Sequence, residues 1–359
     1  MTAFEHTTLA QRVLFGTGEA ARHLAAEIER LGATAVMVLA GPQESDLAAG
    51  VIGDLDVAVR WDDVAPHVPV ANARAATAAA RDKAVDLLVS VGGGSTTGLA
   101  KAIALDTGIP IVAVPTTYAG SEATNVWGMT ENSRKTTGVS DSVLPTTIVY
   151  DPALTASLPV ELSVVSGLNA LAHCVDSMWG PRSDPIDRAL ASEGIGVLSR
   201  ALRAIKTDGG RTLAGREEAL YGAYLSAVTF ASAGSGLHHK ICHVLGGAYD
   251  LPHAHTHAIV LPYVTAFLTP AAPEANSRIA SALDSDDAVT GLNTLRTDIG
   301  APTALRDHGF EERAIIEAAQ LIMPAIPAST PRPVTVEDLH TLLHAAWAGD
   351  VPSKEMFPS

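Results

Sequence analysis

Cysteine is nearly missing from this chain: Cys174 and Cys242 are the only two in 359 residues. Two thiols cannot build a disulfide framework, so a reducing compartment is expected. Aromatic residues are scarce at 4%, whereas alanine is abundant. Small side chains of that kind suit closely packed helices. Basic residues are outnumbered, 24 Lys and Arg against 39 Asp and Glu, for a formal net charge of −15. That balance argues against nucleic acid and anionic membrane as partners, because both need basic patches. It leaves room for a small anionic substrate, which feels only the local field. No apolar run reaches the ~20 residues of a membrane helix. The longest candidate, AIVLPYVTAFL, is short and interrupted by Pro262. The opening MTAFEHTTLAQRVLFG has no basic region followed by a long apolar run, so no signal peptide is read there. A soluble cytoplasmic protein is expected.

What the chain does have is apolar material, 47% hydrophobic residues against 18% charged ones. Such a chain folds around a large core, and its length suggests two domains. Up to about residue 155, short apolar runs alternate with helix-like stretches. TAVMVLAG, DLLVSV, IPIVAVP and TTIVYDP read as strands, and VANARAATAAARDKAV and TTGLAKAIALDTG as helices. Alternation of this kind predicts a mostly parallel sheet covered by helices. Beyond about residue 160 no strand-like alternation remains. SLPVELSVVSGLNALAHCVDSMW reads as a helix capped at Ser157, and VTVEDLHTLLHAAWAG as one capped at Thr335 and stopped at Gly349. EEALYGAYLSAVTFASA and EERAIIEAAQLIM are also helical. The expectation is an α/β domain over 1–156 followed by an all-helical domain over 157–359.

Two strand ends carry ligand chemistry. In VSVGGGSTTG, Gly92, Gly93 and Gly94 let a backbone approach a ligand without Cβ obstruction, and Ser95 opens a helix whose free N–H groups suit a phosphate. In PTTYAGSE, Thr116, Thr117, Tyr118 and Ser121 follow a second buried strand. Open α/β sheets bind ligands beyond the carboxyl ends of their strands. Together these segments predict a dinucleotide site, although a plain strand-to-helix turn would explain either one alone.

The segment HHKICHVLGGAYDLPHAHTH, from His238 to His257, holds six of the 13 histidines and Lys240. His239 and His243 are one helical turn apart, as are Asn169 and His173 upstream, so each pair shares a face. His238, His255 and His257 are expected to be surface or loop packing residues. The sequence resembles the iron-containing alcohol dehydrogenase family along nearly its whole length. The motifs that carry the resemblance are VGGGSTTGLAKAIAL, PTTYAGSEAT, GLNALAHCVDSMW and GLHHKICHVLGGAYDLPHAHTHAIVLPYV. Within the family the wording is most like the maleylacetate reductase branch.

The resemblance implies a dinucleotide-binding α/β domain followed by a helical domain, the fold shared with dehydroquinate synthase. It further implies that the positions holding a divalent metal in metal-using members fall on Asn169, His173, His239 and His253, with His243 beside the nicotinamide. Asn169 stands where those members carry aspartate. A neutral amide is a weaker ligand than a carboxylate. Lys240, next to His239, adds a cation, and two unit charges ~4 Å apart interact by about 4 kcal/mol at an effective dielectric of 20. Both changes oppose a metal, so none is expected. The implied reaction is reduction of maleylacetate to 3-oxoadipate in aromatic-ring catabolism. A cationic, proton-rich pocket of His173, His239, Lys240 and Asn169 is expected to steady the developing enolate, with His243 and then His253 handling the proton and Tyr118 a further donor. Arg134, Lys135 and Arg182 are candidates for the second carboxylate. NADH is the expected donor, with NADPH left open, because neither an acid nor an arginine is evident at Gly41, Pro42 and Gln43. A homodimer is implied. The alternative is a metal-dependent alcohol dehydrogenase of the same family, which would be expected to carry aspartate at position 169.

Overall fold

The computed structural model describes residues 3–357 apart from 132 and 133; the side chains of Arg134 and Lys135 also lie outside the described residues. The chain divides into two compact units. One is Thr8–Leu158; the other is Pro159–Ser359 together with the N-terminal segment that ends at Thr7.

The first unit is built on a parallel sheet in the order β1-β8-β5-β4-β2-β3. Its strands are β1 (Arg12–Phe15), β2 (Val36–Leu39), β3 (Val59–Trp61), β4 (Leu87–Gly92), β5 (Ile111–Pro115) and β8 (Thr147–Tyr150). Every residue of β2, β4, β5 and β8 is buried. Parallel strands covered on both faces read as continuous apolar runs, which is why these four were legible. β1 and β3 are short and only partly buried, and neither was anticipated. The helices are α1 (Ala20–Leu31), α2 (Ser45–Ile52), α3 (Val70–Asp82) and α4 (Gly94–Thr107). On one face of the sheet Val89, Val112 and Val149 pack with Leu24 of α1 and Val51 of α2. On the other Met37, Leu88 and Ile111 pack with Ala76 of α3 and Ile103 of α4. β6 (Val126–Glu131) and β7 (Arg134–Val139) form a separate antiparallel hairpin that also escaped the sequence reading.

The second unit is helical: α5 (Val160–Ser177), α6 (Pro185–Asp208), α7 (Ala214–Ala233), α8 (Leu237–Tyr249), α9 (His253–Leu268), α10 (Pro273–Ala282), α11 (Ala288–Ile299), α12 (Ile315–Ile322) and α13 (Val336–Ala348). Small residues let the central helices approach one another. A Cβ on Gly194 of α6 would lie 2.6 Å from Cys174 Sγ of α5, so only glycine fits. α13 has the expected cap: Thr335 and Asp338 form a reciprocal capping box, and Gly349 closes the far end in the left-handed region. The expected cap at Ser157 does not form. α5 starts at Val160 after Pro159, whose fixed φ and extended ψ set the helix entry without a side-chain cap. Among the described residues no helix is long and apolar enough to cross a membrane.

Candidate active site

Three helices of the helical unit bring the histidines together. α5 presents Asn169, His173 and Asp176 at spacings of four and three, one face of the helix. Asp176 is fully buried and sits at the start of α8. Its Oδ2 accepts hydrogen bonds from the backbone N–H of Gly236 at 2.8 Å and of His239 at 3.4 Å. Its Oδ1 accepts from His238 N–H at 3.3 Å and from the Trp179 indole at 3.1 Å. A carboxylate from a neighbouring helix thus takes the place of a local N-cap and complements the positive end of α8. The same Oδ2 lies 2.7 Å from His239 Nδ1. Asp176 accepts there, so the His239 proton is on Nδ1 and Nε2 carries a bare lone pair. Nε2 is buried without a hydrogen-bond partner among the described residues.

Around His239 the rings stack closely. His173 lies 5.0 Å from it, centroid to centroid, at 19°, and Phe230 of α7 lies 4.3 Å from it and 4.8 Å from His173. His243, one turn along α8, is 6.1 Å from His239. On α9, His257 is 4.3 Å from His253 and 4.9 Å from His239. His173, His239 and His257 are buried, whereas His243 and His253 are exposed and Lys240 is half-buried. Asn169 Oδ1 and His173 Nδ1, like His239 Nε2, are buried without partners among the described residues. Buried polar atoms seldom stay unpaired, so three of them on packed helices mark a candidate place for a ligand.

The expected cationic pocket is not what burial produces. Desolvation pulls His173 down to about 4 against a partial lift from Asp176, and His238 down to about 3. His239 and His257 are also held well below the ordinary imidazole value, first by burial and then by neighbouring histidines. These four rings are therefore neutral near pH 7, and Lys240 is left as the cation beside them, its charge helping to depress His239. The reason is depth, which spacing does not reveal. A second correction concerns His238 and His257, expected as surface or loop packing. Both are completely buried within the cluster, joined by a 3.0 Å contact between His238 Nε2 and His257 Nδ1. His255 does stand apart, its ring 4.6 Å from that of His308. Arg182 is spent on structure, donating to the carbonyls of Ser232 and Ala231 at the end of α7.

The glycine turn lies in the α/β unit, at the carboxyl end of β4. Gly92 has φ +155, and a Cβ there would sit 2.4 Å from Thr96 Oγ1. α4 begins at Gly94 with Gly93 at its N-cap and no side-chain cap, so its first N–H groups are not taken by a side chain. The end of β5 is tied alongside by Thr116 N–H donating to Gly92 O at 3.1 Å. Thr117 packs on Gly93, where a Cβ would come within 3.1 Å of its methyl. Ser95, Thr117 and Ser121 are half-buried, and Tyr118 is fully buried in this unit. The arrangement fits a pyrophosphate through its uncapped helix end, and the glycines let Thr96 and Thr117 pack tightly against the turn.

Sequence reasoning missed Lys101, which fixes this turn. Its ammonium is buried and donates to the carbonyls of Ser121 at 2.6 Å, Thr124 at 2.8 Å and Val126 at 2.8 Å. It thereby bolts α4 to the loop after β5. It also missed Glu44, in the turn after β2, whose half-buried carboxyl is pushed up by burial. Lys101 was quoted within a motif, but nothing local shows that a lysine on a helix is turned inward.

Residues 10–152 match the description "Iron-containing alcohol dehydrogenase", and residues 163–347 match "Fe-containing alcohol dehydrogenase family, C-terminal". The chain belongs to the iron-containing alcohol dehydrogenase family. It is 43% identical to a maleylacetate reductase of Sphingobium indicum, over 97% of this chain and 99% of that one. A crystal structure of an iron-containing alcohol dehydrogenase from Corynebacterium glutamicum superposes with a TM-score of 0.96 at 56% identity, covering 98% of each chain. That of maleylacetate reductase from Agrobacterium tumefaciens superposes with a TM-score of 0.92 at 38% identity, covering 98% of this chain and 100% of that one. The protein is accordingly an NAD(P)H-dependent oxidoreductase of this family.

A family named for iron raises the question of whether these residues fit a metal. The donor set is poor: one neutral amide at Asn169, imidazoles, a lysine beside His239, and the Asp176 carboxylate already filled by N–H donors. Among the described residues, two groups bring three His, Cys, Asp or Glu ligand atoms within 4.8 Å of one another, namely His238, Cys242, His257 and His6, Asp184, Asp187. Neither is His173, His239 and His253. The expected metal positions thus offer three imidazoles and a neutral amide with no free carboxylate, a set that holds a hard divalent ion less well than one with aspartate.

Proposed function

We propose that this enzyme reduces the C=C bond of maleylacetate to 3-oxoadipate with NADH and without a catalytic metal. The full-length likeness to maleylacetate reductases carries the reading of the substrate. Asn169 in a donor set without a free carboxylate supports the metal-free chemistry. When bound, the reduced nicotinamide supplies a hydride to the alkene carbon β to the ketone. The electron pair of the C=C bond then moves onto the ketone oxygen as an enolate, and a proton must reach the carbon next to the ketone. The sum is one hydride and one proton added across the double bond.

The protein's share is to hold the dicarboxylate, to stabilise the enolate oxygen and to deliver the proton. Lys240 and the amide of Asn169 supply positive charge and a donor for the oxygen. One such donor is typically worth about 2.7–4 kcal/mol. His173 and His239 line the same pocket as neutral rings. A substrate carboxylate near them would raise their affinity for protons. His243 is proposed as the principal proton donor, with His253 second, because both are exposed and can recharge from solvent. In the α/β unit, Gly92, Gly93, Gly94, Ser95, Thr116, Thr117 and Ser121 would cradle the pyrophosphate, and Tyr118 is a further candidate donor. Glu44, in the turn after β2, supports NADH over NADPH, since a carboxylate there suits a ribose hydroxyl and repels a 2′-phosphate.

Two buried, unpaired cysteines suit the reducing cytoplasm proposed as the enzyme's location, and the proposed assembly is a homodimer, which sedimentation would test. The functional test is maleylacetate-dependent NADH oxidation by the wild type and by His243→Ala and His253→Ala. Loss of general acid catalysis lowers turnover by about 10²- to 10⁴-fold. Near-wild-type turnover in both variants would remove these histidines from the mechanism.

A further inference from the structure

The loop after β5 holds a second buried charge that the reductase mechanism does not use. Glu122, in the single 3₁₀ turn Ser121–Ala123, is 2% exposed. Its Oε1 accepts from the hydroxyl of Tyr150, the last residue of β8, at 2.7 Å. Its backbone carbonyl accepts from Gln11 Nε2 at 2.8 Å, and the same Nε2 donates to Pro145 O at 2.8 Å. On either side of Glu122 the carbonyls of Ser121 and Thr124 accept from Lys101 of α4. The end of the loop is thus fastened from three directions: α4, β8 and the segment before β1. Its beginning is fixed by Thr116 N–H on Gly92 O. The residues proposed above for the pyrophosphate, Thr116, Thr117 and Ser121, run between these fixed ends.

Lys101 has no exposed surface, and its hydrogen-bond partners are all acceptors: three carbonyls and, at 3.1 Å, Thr124 Oγ1. An ammonium has three N–H donors and no lone pair. A neutral amine would have two donors and would turn a lone pair toward an acceptor. The surroundings therefore call for the charged form, whereas burial opposes it and draws Lys101 down to about 7. The charge that works against burial is that of Glu122, with Tyr150 the titratable group beyond it. Glu122 is pushed up by burial in its turn, and is held back by its own backbone N–H, the Tyr150 hydroxyl and Lys101. Two buried opposite charges on different elements hold each other in place, since removal of either leaves the other unpaired.

We propose that Glu122 is a positioning residue for the dinucleotide, its buried carboxylate keeping Lys101 an ammonium so that the loop after β5 stays drawn onto α4 beside the glycine turn. The inference rests on the cofactor reading of that turn and adds a buried charge that acts through Lys101. A loop ordered before its ligand arrives loses no further freedom on binding.

The test is NADH binding by the intact enzyme, followed by nicotinamide fluorescence from below pH 7 up to 10.5, the ordinary lysine value. Wild-type affinity should fall as pH rises through that window, because the ammonium is lost. Glu122→Gln keeps an oxygen for Tyr150 but not the charge, so its fall should come about 1–3 units lower. At neutral pH its Kd for NADH should be about tenfold higher, the worth of one hydrogen bond, with kcat at saturating NADH less affected. Lys101→Met should show no such fall anywhere in the window. A carboxylate with a merely structural part would weaken binding equally at every pH. Wild-type affinity that stays level across the window would overturn the proposal, as would a Glu122→Gln midpoint equal to that of the wild type. Should Glu122→Gln fail to fold, the double variant Lys101→Met/Glu122→Gln leaves neither charge unpaired and decides the matter. It should bind NADH no worse than Lys101→Met alone; weaker binding would show that Glu122 does not act through Lys101 and would overturn the proposal. A wild type that does not bind NADH removes the cofactor reading and this proposal with it, whereas variants that bind as the wild type does at every pH remove this proposal alone.

Discussion

Asp176 joins the helix that carries Asn169 and His173 to the helix that carries His239. Its carboxylate is buried and accepts from three backbone N–H groups, an indole and an imidazole. Replacing it by alanine removes charged hydrogen bonds worth about 1.5–3 kcal/mol each and leaves donors unpaired. Asp176→Ala is therefore expected to lose at least about 3 kcal/mol of stability by chemical denaturation. The conservative Asp176→Asn keeps an oxygen for His239 Nδ1–H but loses the charge and turns an N–H₂ toward other donors, so it should cost less stability than Asp176→Ala. At Asn169 the prediction concerns binding. Asn169→Asp adds the missing anion, so zinc retained after gel filtration should rise well above that of the wild type. Unchanged retention would show that the amide is not what disfavours an ion. Spacing disclosed which of these residues share a face, because four residues on a helix means one turn. The 4-3 spacing of Asn169, His173 and Asp176 was also present in the sequence and unused. Depth was not legible: His257 and His255 look alike as letters, yet one is enclosed and the other pairs with His308.

Whole elements were legible in proportion to their burial. The inner strands β2, β4, β5 and β8 announce themselves as apolar runs, while β1, of four residues, and β3, of three, are too short to show a period. The hairpin of β6 and β7 carries polar and charged residues on half-exposed strands, so its alternation is weak. α4 is the element on which the proposed dinucleotide site depends, through the Lys101 bonds to Ser121, Thr124 and Val126. Lys101→Met keeps the length of the side chain but removes the donor from the carbonyls of Thr124 and Val126, while Ser121 O still accepts from Thr124. It should cost about 1–3 kcal/mol and raise KM for NADH through disorder of the loop after β5. A stable variant with wild-type KM would show that the loop holds itself. At the other end of the chain, Thr335→Ala removes the hydroxyl half of the α13 capping box and leaves Asp338 to accept from the backbone N–H of residue 335. It should cost about 0.5–2 kcal/mol with no change in kcat, which places that helix outside the chemistry.

For the molecule as a whole, the buried histidines tie stability to pH. His173 is held at about 4 and His238 at about 3, both from an ordinary value of 6.5. As pH falls below about 6.5 the unfolded chain takes up these protons and the folded one does not. The stabilisation is complete above that pH and is lost as pH drops through the window down to about 3, by about 1.4 kcal/mol per unit for each ring. Denaturation midpoints measured at about pH 7 and about pH 5 should differ accordingly, and His238→Gln should flatten the slope. The net charge of −15 belongs to the same scale: it set aside polyanionic partners at the outset, while the substrate proposed here is a small dianion met by Lys240. The claim on which the account turns is that side chains, not an ion, steady the enolate. Elemental analysis of fully active enzyme, with its NADH oxidation followed before and after exhaustive chelation, tests it most directly. The account predicts far less than one metal per chain and undiminished turnover; stoichiometric iron or zinc, with activity lost on chelation and regained on return of the ion, would contradict it.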